Sequence, residues 1–279
     1  MDSKIYQKES NTNLSKLLKT SLSDIYNSRF LSKQLAVRDI KAQYRQSYLG
    51  FLWAFIMPLT TAFVWIFLNK SGVIKLTDTG IPYPVYAFSG TLLWSILIES
   101  INTPTSSTNN ARSIMTKINF PKEALIISGI YKMCFNSFIK IGLLLVFLGV
   151  FGVGYHKTIF LFPFALLGVV VFGITIGLFL TPIGMLYKDI AKIITLSFSF
   201  IMYATPVVYA VPKTGIMKTI MELNPLTPLI VTTRDLVVGQ TPEYLTYYFC
   251  IIGACIPLMF VALLFYRISI PVIVERMNA

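Results

Sequence analysis

The chain has 279 residues, of which 55% are hydrophobic and only 13% are charged. An ordinary soluble domain carries about a quarter charged residues, so this composition excludes a typical water-facing protein. The apolar residues also lie in long blocks of the length that a membrane-spanning helix needs, about 20 residues. The net charge of +12 fits basic segments that flank membrane helices, and we expect no nucleic-acid binding.

Two segments precede the first apolar block. Residues 1–27 form a polar tail, for which the sequence indicates only solvent or lipid as surroundings, and we expect no cleavable signal peptide. Residues 28–49 predict an amphipathic interface helix, because Val37, Ile40 and Tyr44 share one helical face. Such a helix lies in the cytoplasmic membrane interface with its cations among the headgroups, although a generic basic flank is the alternative. The cations of this stripe are Arg38, Lys41 and Arg45.

Apolar segments between residues 50 and 268 predict an all-α membrane domain with six spanning helices. Their approximate bounds are 51–68, 83–102, 123–153, 160–186, 190–211 and 244–266. Prolines inside them are tolerated in membranes, where neighbouring groups bond the freed carbonyls. These prolines are Pro58, Pro182, Pro206 and Pro257. Sixteen Lys and Arg residues flank one side and six the other, which predicts cytoplasmic termini and a short cytoplasmic tail over 269–279.

The cytoplasmic loop 104–121 is longer than a turn requires. Its core predicts a short helix over 109–119 with Ile114 and Ile118 one turn apart, and Pro121 ends this helix before the third span. A short helix exposed to the cytoplasm suits docking to a soluble partner. A plain connector fits the same residues equally well.

The outer loop 212–242 is apolar but too short to span. Ile216, Ile220 and Leu223 predict one short helix, and Asn224-Pro225 separates it from a second apolar stretch. Two short helices of this kind would enter the outer leaflet, where a non-spanning backbone needs protein or a water-filled cavity around it. The segment is therefore a candidate gate, with Asn224, Pro225 and Pro228 at its centre.

Glu99, Lys132 and Lys140 lie away from the ends of the predicted spans, where each charge costs about 2.5 kcal/mol or more. We expect Glu99 to pair with Lys132 or Lys140 between the second and third spans. Two alternatives stay open: Lys132 extends to the cytoplasmic interface, or the lysines bind the pyrophosphate of a lipid-linked substrate.

Several motifs, in this order along six spans, resemble the permease subunits of ABC transporters that export O-antigen, capsule or teichoic acid, which are ABC type 2 permeases. The motifs are Arg38-Asp39-Ile40-Lys41-x-x-Tyr44-Arg45, Ser47-x-Leu49-Gly50-x-x-Trp53, Phe120-Pro121-Lys122-Glu123, Tyr187-Lys188-Asp189-Ile190, Thr205-Pro206-Val207-x-Tyr209 and Asn224-Pro225-x-x-Pro228.

The resemblance implies a homodimer in the cytoplasmic (inner) membrane that works with two copies of a separate ABC ATPase and exports a lipid-linked polysaccharide. ATP and Mg would bind to the ATPase subunit, and we expect no cofactor, metal or catalytic residue in this chain. The implied ATPase-coupling residues are Arg38, Lys41, Arg45, Asn109, Arg112, Ile114, Lys117, Phe120, Pro121, Tyr187 and Asp189. The implied substrate path includes Trp65, Tyr203 and Tyr209, with Lys132 and Lys140.

The sequence itself fits a permease whose energy comes from a partner subunit, because the chain has no Gly-rich phosphate loop ending in Gly-Lys-Ser or Gly-Lys-Thr with which to bind ATP. Three other functions stay open. These are an ABC type 2 exporter of a drug or small lipid, a membrane-embedded glycosyl- or acyltransferase, and a secondary transporter. The spans contain one acid and no histidine, which disfavours the transferase, and no internal repeat indicates a secondary transporter.

Overall fold

The computed structural model describes residues 14–45, 48–72 and 79–278. Every regular element in these ranges is helical, as predicted. The helices are α1 Leu14–Asn27, α2 Arg29–Arg45, α3 Trp53–Lys70, α4 Tyr83–Asn110, α5 Arg112–Met115, α6 Glu123–Val150, α7 Phe162–Leu186, α8 Lys188–Tyr203, α9 Ile216–Leu223, α10 Leu226–Val238 and α11 Leu245–Asn278. Ser47 of the second motif and residues 1–13 of the predicted tail lie outside the described residues.

Within the described ranges, five helices are long and apolar enough to cross a membrane: α3, α4, α6, α7 and α11. They coincide with the first four predicted spans and the last. Helices are expected here because hydrocarbon offers no hydrogen bonds, so a spanning backbone must bond to itself. The chain is therefore a multi-pass, all-helical membrane protein.

The predicted fifth span, 190–211, is not one continuous helix. Helix α8 ends at Tyr203, and Pro206 lies in the irregular segment that follows. The reason is that a proline lacks the N–H for the helical bond and pushes the preceding residue away from helical geometry. Thr205, Val207 and Val208 of this segment are nevertheless buried. The number of six spans is not confirmed.

Two helices continue further than predicted. Helix α4 extends to Asn110, so only residues 111–122 separate it from α6, and the short helix predicted over 109–119 is the four-residue α5. The hydroxyls at the polar end of α4 are satisfied within the helix by bonds to carbonyls one turn earlier, for example from Thr108 Oγ1 to the Pro104 carbonyl at 2.7 Å. Likewise, α11 continues to Asn278 through most of the predicted tail 269–279.

Helix α4 is central and packs against α3, α6 and α7. Its Phe88 and Leu93 are fully buried. Helix α7 approaches α4 through Gly173 and Gly177, and a Cβ atom on Gly177 would lie 2.2 Å from the carbonyl oxygen of Ile101. Small residues permit this close contact, which is the main source of packing energy between helices in a membrane.

The outer segment contains the two predicted short helices, divided at Asn224–Pro225. Their surroundings differ. Every residue of α10 is buried within the chain, whereas Ile216 and Leu223 of α9 are exposed. Protein therefore covers α10, and α9 alone has an apolar face left for lipid. The depth of this segment in the membrane stays a prediction.

Candidate functional site

Three polar side chains meet between α4 and α6 inside the bundle. Glu99 Oε2 lies 2.7 Å from Lys140 Nζ, and Asn136 Nδ2 donates a hydrogen bond of 2.6 Å to Glu99 Oε1. Asn136 and Lys140 are one turn apart on α6, so both can reach α4. The predicted pairing of Glu99 is confirmed for Lys140, and it offsets part of the cost of placing each charge in a membrane.

Two neighbouring cavities adjoin this ion pair, and we call them together the polar cleft. One has a volume of about 370 Å³ and the other about 300 Å³, and Gln43, Glu99 and Asn136 line both. The cleft lies between α2, α3, α4 and α6. The first cavity adds the rings of Tyr44, Trp53 and Trp94, and the second adds Asp39, Asn102, Asn110 and Lys132.

Two groups in the polar cleft have unused binding capacity. Lys132 lines the second cavity and has no carboxylate within ion-pair distance in the described part of the chain. Asn136 Oδ1 is buried and has no hydrogen-bond partner among the described residues. One cation and one acceptor in a cleft of this size suit a ligand with a negative group and hydroxyl donors.

The aromatic residues that line the polar cleft are not those predicted from the sequence. Trp65 packs against the core of the bundle, and Tyr203 is exposed on α8. The Tyr209 hydroxyl donates to the Tyr203 carbonyl. None of these three residues lines either cavity of the polar cleft. Their role in a path between two copies of the chain stays a prediction.

The predicted ATPase-coupling residues differ in how far they are exposed. The exposed group consists of Arg38, Lys41, Arg45, Lys117, Tyr187 and Asp189. Arg112 instead turns inward, where its Nη2 donates 2.7 Å to the Met185 carbonyl, and Phe120 is only 6% exposed. These two anchor the loop to the bundle. The remaining predicted coupling residues are half-buried, and they are Asn109, Ile114 and Pro121.

The predicted gate residue Asn224 holds the start of α10 against the end of α8. Its Nδ2 donates to the Ala204 carbonyl and to Thr205 Oγ1, both at 2.9 Å. Its Oδ1 accepts the backbone N–H of Leu226 at 2.9 Å. Pro225 directly precedes α10, and its φ of −65° already fits helical geometry. The next predicted gate residue, Pro228, is buried in the helix.

Arg234 is a further structural residue of this region that sequence reasoning missed, because it resembles an outer-loop cation. It is 3% exposed. Its Nη1 donates to the carbonyls of Pro206 and Val207 at 3.1 and 3.2 Å, and its guanidinium lies 3.8 Å from the centre of the Tyr86 ring. Arg234 thereby fixes the irregular segment after α8 to α4 and α10.

The neighbouring Asp235 lines an outer cavity of about 530 Å³, together with Glu243 and Tyr244. Burial raises the pKa of Asp235 to about 6, since it disfavours the charged carboxylate. Arg234 opposes this shift, and Glu243 adds to it. The group therefore changes charge near neutral pH.

Comparison with known proteins supplies the family. Residues 31–238 match the family described as ABC-2 type transporter. The chain is similar to the O-antigen export system permease protein RfbA of Myxococcus xanthus, with 28% identity over 211 residues that cover 74% of this chain and 80% of that protein. A protein of the same name from Klebsiella pneumoniae is 26% identical over 227 residues, covering 78% and 85%. Since the family match covers well over half of it, the chain belongs to the ABC-2 type transporter family.

Proposed function

We propose that the chain is the transmembrane subunit of an ABC exporter that moves a lipid-linked surface polysaccharide across the cytoplasmic (inner) membrane. O-antigen is the expected class, and capsule and teichoic acid are the alternative cargoes. Similarity to two O-antigen export permeases over most of both chains supports this choice. The polar cleft is the structural observation on which the proposal of a lipid-linked polysaccharide rests.

The polar cleft suits a substrate with a charged, hydroxyl-rich head and a long apolar tail. It opens beside α2, the basic helix that we expect in the cytoplasmic interface, and is surrounded by apolar spans. Lys132 would bind a phosphate oxygen, because an ammonium beside a phosphate forms a strong charge-assisted hydrogen bond. Asn136 Oδ1 would accept a sugar hydroxyl. Tyr44, Trp53 and Trp94 give flat surfaces on which sugar rings can move.

A sixth crossing completes the expected topology. Helix α8 has 16 residues, which is about 24 Å at 1.5 Å per residue. The segment 204–211, of which residues 205–208 are buried, would cover the remaining thickness, with Arg234 bonding carbonyls that would otherwise lack partners in lipid. Six crossings would place both termini, α2 and α5 on one side of the membrane, and the excess of Lys and Arg on that side predicts that it is the cytoplasm.

An ABC ATPase would supply the energy, with ATP and Mg bound in that partner and no cofactor in this chain. The exposed cations of α2, together with Lys117 and Tyr187, are the surface that we assign to it. A second copy of the chain would pack against α3 and α8, whose faces are largely uncovered in a single copy. Two copies of the chain with two ATPase subunits would then enclose the path.

A host strain that lacks the chain tests the proposal. We expect lipid-linked glycan to accumulate at the cytoplasmic face and surface glycan to disappear, and the wild-type chain to restore both. Antibody labelling of intact and permeabilised cells measures the two pools. Normal surface glycan combined with altered drug sensitivity would instead support the small-molecule exporter.

The substrate role of Lys132 has a separate test in the same strain. We expect Lys132→Met to reduce export roughly 10-fold, because it removes one charge-assisted hydrogen bond, without changing the amount of protein in the membrane. Lys70→Met, at the exposed end of α3, is the matched control and should export normally. Normal export by Lys132→Met would exclude Lys132 from substrate binding.

A further inference from the structure

The N-terminal segment is not merely a solvated tail from residue 14 onward. Helix α1 continues into α2 with a one-residue break at Ser28. The helical hydrogen bonds nevertheless persist across it, from Ser28 N–H to the Asp24 carbonyl at 3.0 Å and from Ser32 N–H to the Ser28 carbonyl at 2.9 Å. Residues 14–45 therefore form one long, slightly interrupted helix along α6 and α11.

This long helix contacts the bundle with small and polar residues. The buried positions recur every three or four residues, which is one helical face. They are Leu17, Ser21, Asp24, Ser28, Ser32 and Leu35. At 100° per residue, this face lies about half a turn from Val37 and Ile40, the apolar residues that we expect in lipid, whereas Tyr44 lines the polar cleft. The helix thus has one side for protein and another for membrane.

A buried charge network lies on the protein-facing side. Arg267 Nη1, on α11, lies 3.0 Å from Asp24 Oδ2 and 2.5 Å from Glu123 Oε1. Ser21 Oγ donates 2.8 Å to the same Glu123 oxygen. The side chains of Asp24 and Glu123 are 1% and 3% exposed, and that of Arg267 is 10% exposed.

Tyr266, the residue before Arg267 on α11, contacts both ends of the loop 111–122. The Tyr266 hydroxyl is fully buried, lies 2.9 Å from Thr108 Oγ1 and donates 3.3 Å to the Lys122 carbonyl. Thr108 lies in the last turn of α4, Lys122 directly precedes α6, and Glu123 is the first residue of α6. Two consecutive residues of α11 therefore hold both ends of the loop 111–122, and Arg267 also holds α1.

Such a network is a poor device for stability alone. Three ions in a buried site lose their hydration, and apolar side chains of similar volume usually hold helices together at least as well. Its defining property is directional: hydrogen bonds fix the loop ends, α11 and the N-terminal helix at set distances. Because one cation serves two carboxylates on different helices, none of these elements can move alone without breaking it.

We propose that Tyr266, Arg267, Asp24 and Glu123 form a transmission node that passes displacement of the loop 111–122 to the last spanning helix and to the N-terminal helix. The four are positioning residues, and none of them touches the substrate. The proposal rests on the proposed function, in which an ATPase moves this loop from the cytoplasm. It assigns a role to residues 14–27, which the sequence left without one.

The test compares export with ATP hydrolysis in the reconstituted complex of this chain and its ATPase. Arg267→Met, Asp24→Asn and Glu123→Gln should keep substantial ATP hydrolysis but export roughly 10-fold less glycan per ATP, the size of an ordinary coupling between sites. Lys157→Met, at an exposed position outside the node, the polar cleft and the candidate gate, is the control and should leave the ratio unchanged.

A triple variant, Asp24→Leu with Glu123→Leu and Arg267→Met, separates transmission from simple attachment. It removes all three charges together, so the helices should stay packed, yet export per ATP should remain low. If the triple variant exported as much glycan per ATP as wild type, the network would be only a structural contact and the proposed transmission would be contradicted. A parallel loss of export, hydrolysis and membrane protein in the single variants would do the same. Absence of export by the wild-type complex would instead contradict the proposed function.

Discussion

At the scale of single residues, the side chains of the pair Glu99 and Lys140 are 24% and 15% exposed. Replacing either residue leaves the other as an uncompensated charge within the bundle, whereas replacing both leaves none. We expect Glu99→Gln and Lys140→Met each to lower the temperature of unfolding in detergent, and the double variant to lower it less than their sum. The coupling energy should be about 1–3 kcal/mol.

Strict additivity of the two changes would show that the contact contributes nothing to stability. The same measurement on Lys132 gives a contrast, since this lysine has no carboxylate partner within the described residues. Its replacement by Met should leave the unfolding temperature unchanged.

Asp235 gives the protein a defined dependence on pH. Its pKa of about 6 in the folded chain is above its ordinary value of 3.8, so the folded state binds a proton that the unfolded state has already lost. The resulting stabilisation is complete below about pH 4 and disappears as the pH rises through 6. We expect Asp235→Asn to be more stable than wild type at pH 8, and this advantage to shrink towards pH 4.

Unfolding temperatures at pH 4, 6 and 8 measure this effect. Glu222→Gln is the control, because Glu222 carries a partly exposed carboxylate on the same outer segment. An equal shift for Asp235→Asn at all three pH values would contradict a raised pKa.

At the scale of elements, the close contact of α4 with α7 is the most sensitive packing interface. We expect Gly177→Ala to destabilise the chain by about 1–3 kcal/mol, the usual cost of overpacking, because the added Cβ would lie 2.2 Å from the Ile101 carbonyl oxygen. Gly253→Ala in α11 is the matched control, since nothing lies within 4 Å of its added Cβ. Unfolding temperatures compare the two, and equal effects would mean that α4 and α7 can separate at little cost.

Elements were predictable from the sequence where length and hydrophobicity decide them. The spans of α3, α6 and α7 follow from apolar runs alone. The end of α8 was not predictable from the sequence. Pro206 alone does not indicate a helix end, because membrane helices often tolerate proline. Helix α1 was missed because two of its three buried residues, Ser21 and Asp24, resemble a solvated surface until α11 supplies a partner.

The candidate site was predictable in part for a related reason. A charge inside a span needs a partner, so the pairing of Glu99 was predictable from the free-energy cost of an unpaired charge in the membrane alone. Which aromatic residues line the polar cleft depends on the rotation of each helix. A spanning helix that is apolar on all sides gives no periodic signal for that rotation, so Trp94 could not be distinguished from Trp65.

At the scale of the whole molecule, the number of crossings decides the side on which the outer segment lies. With native cysteines changed to Ala, we expect Lys213→Cys and Lys157→Cys to react with an impermeant maleimide in intact cells, and Lys117→Cys only after permeabilisation. This pattern requires residues 188–211 to cross the membrane. Labelling of Lys213→Cys only in permeabilised cells would reduce the number of crossings to five.

The ion pair of Asp24 and Arg267 joins residues 243 positions apart. At translation rates of 5–20 residues per second, the first partner waits roughly 10–50 s for the second. During that interval Asp24 of α1 and Glu123 of α6 lack the cation that both share in the finished chain, and the two like charges oppose the docking of α1 against α6. Completion of the last span therefore also completes the docking of the first helix, and partly synthesised or truncated chains keep a loose amphipathic segment that quality-control proteases can recognise.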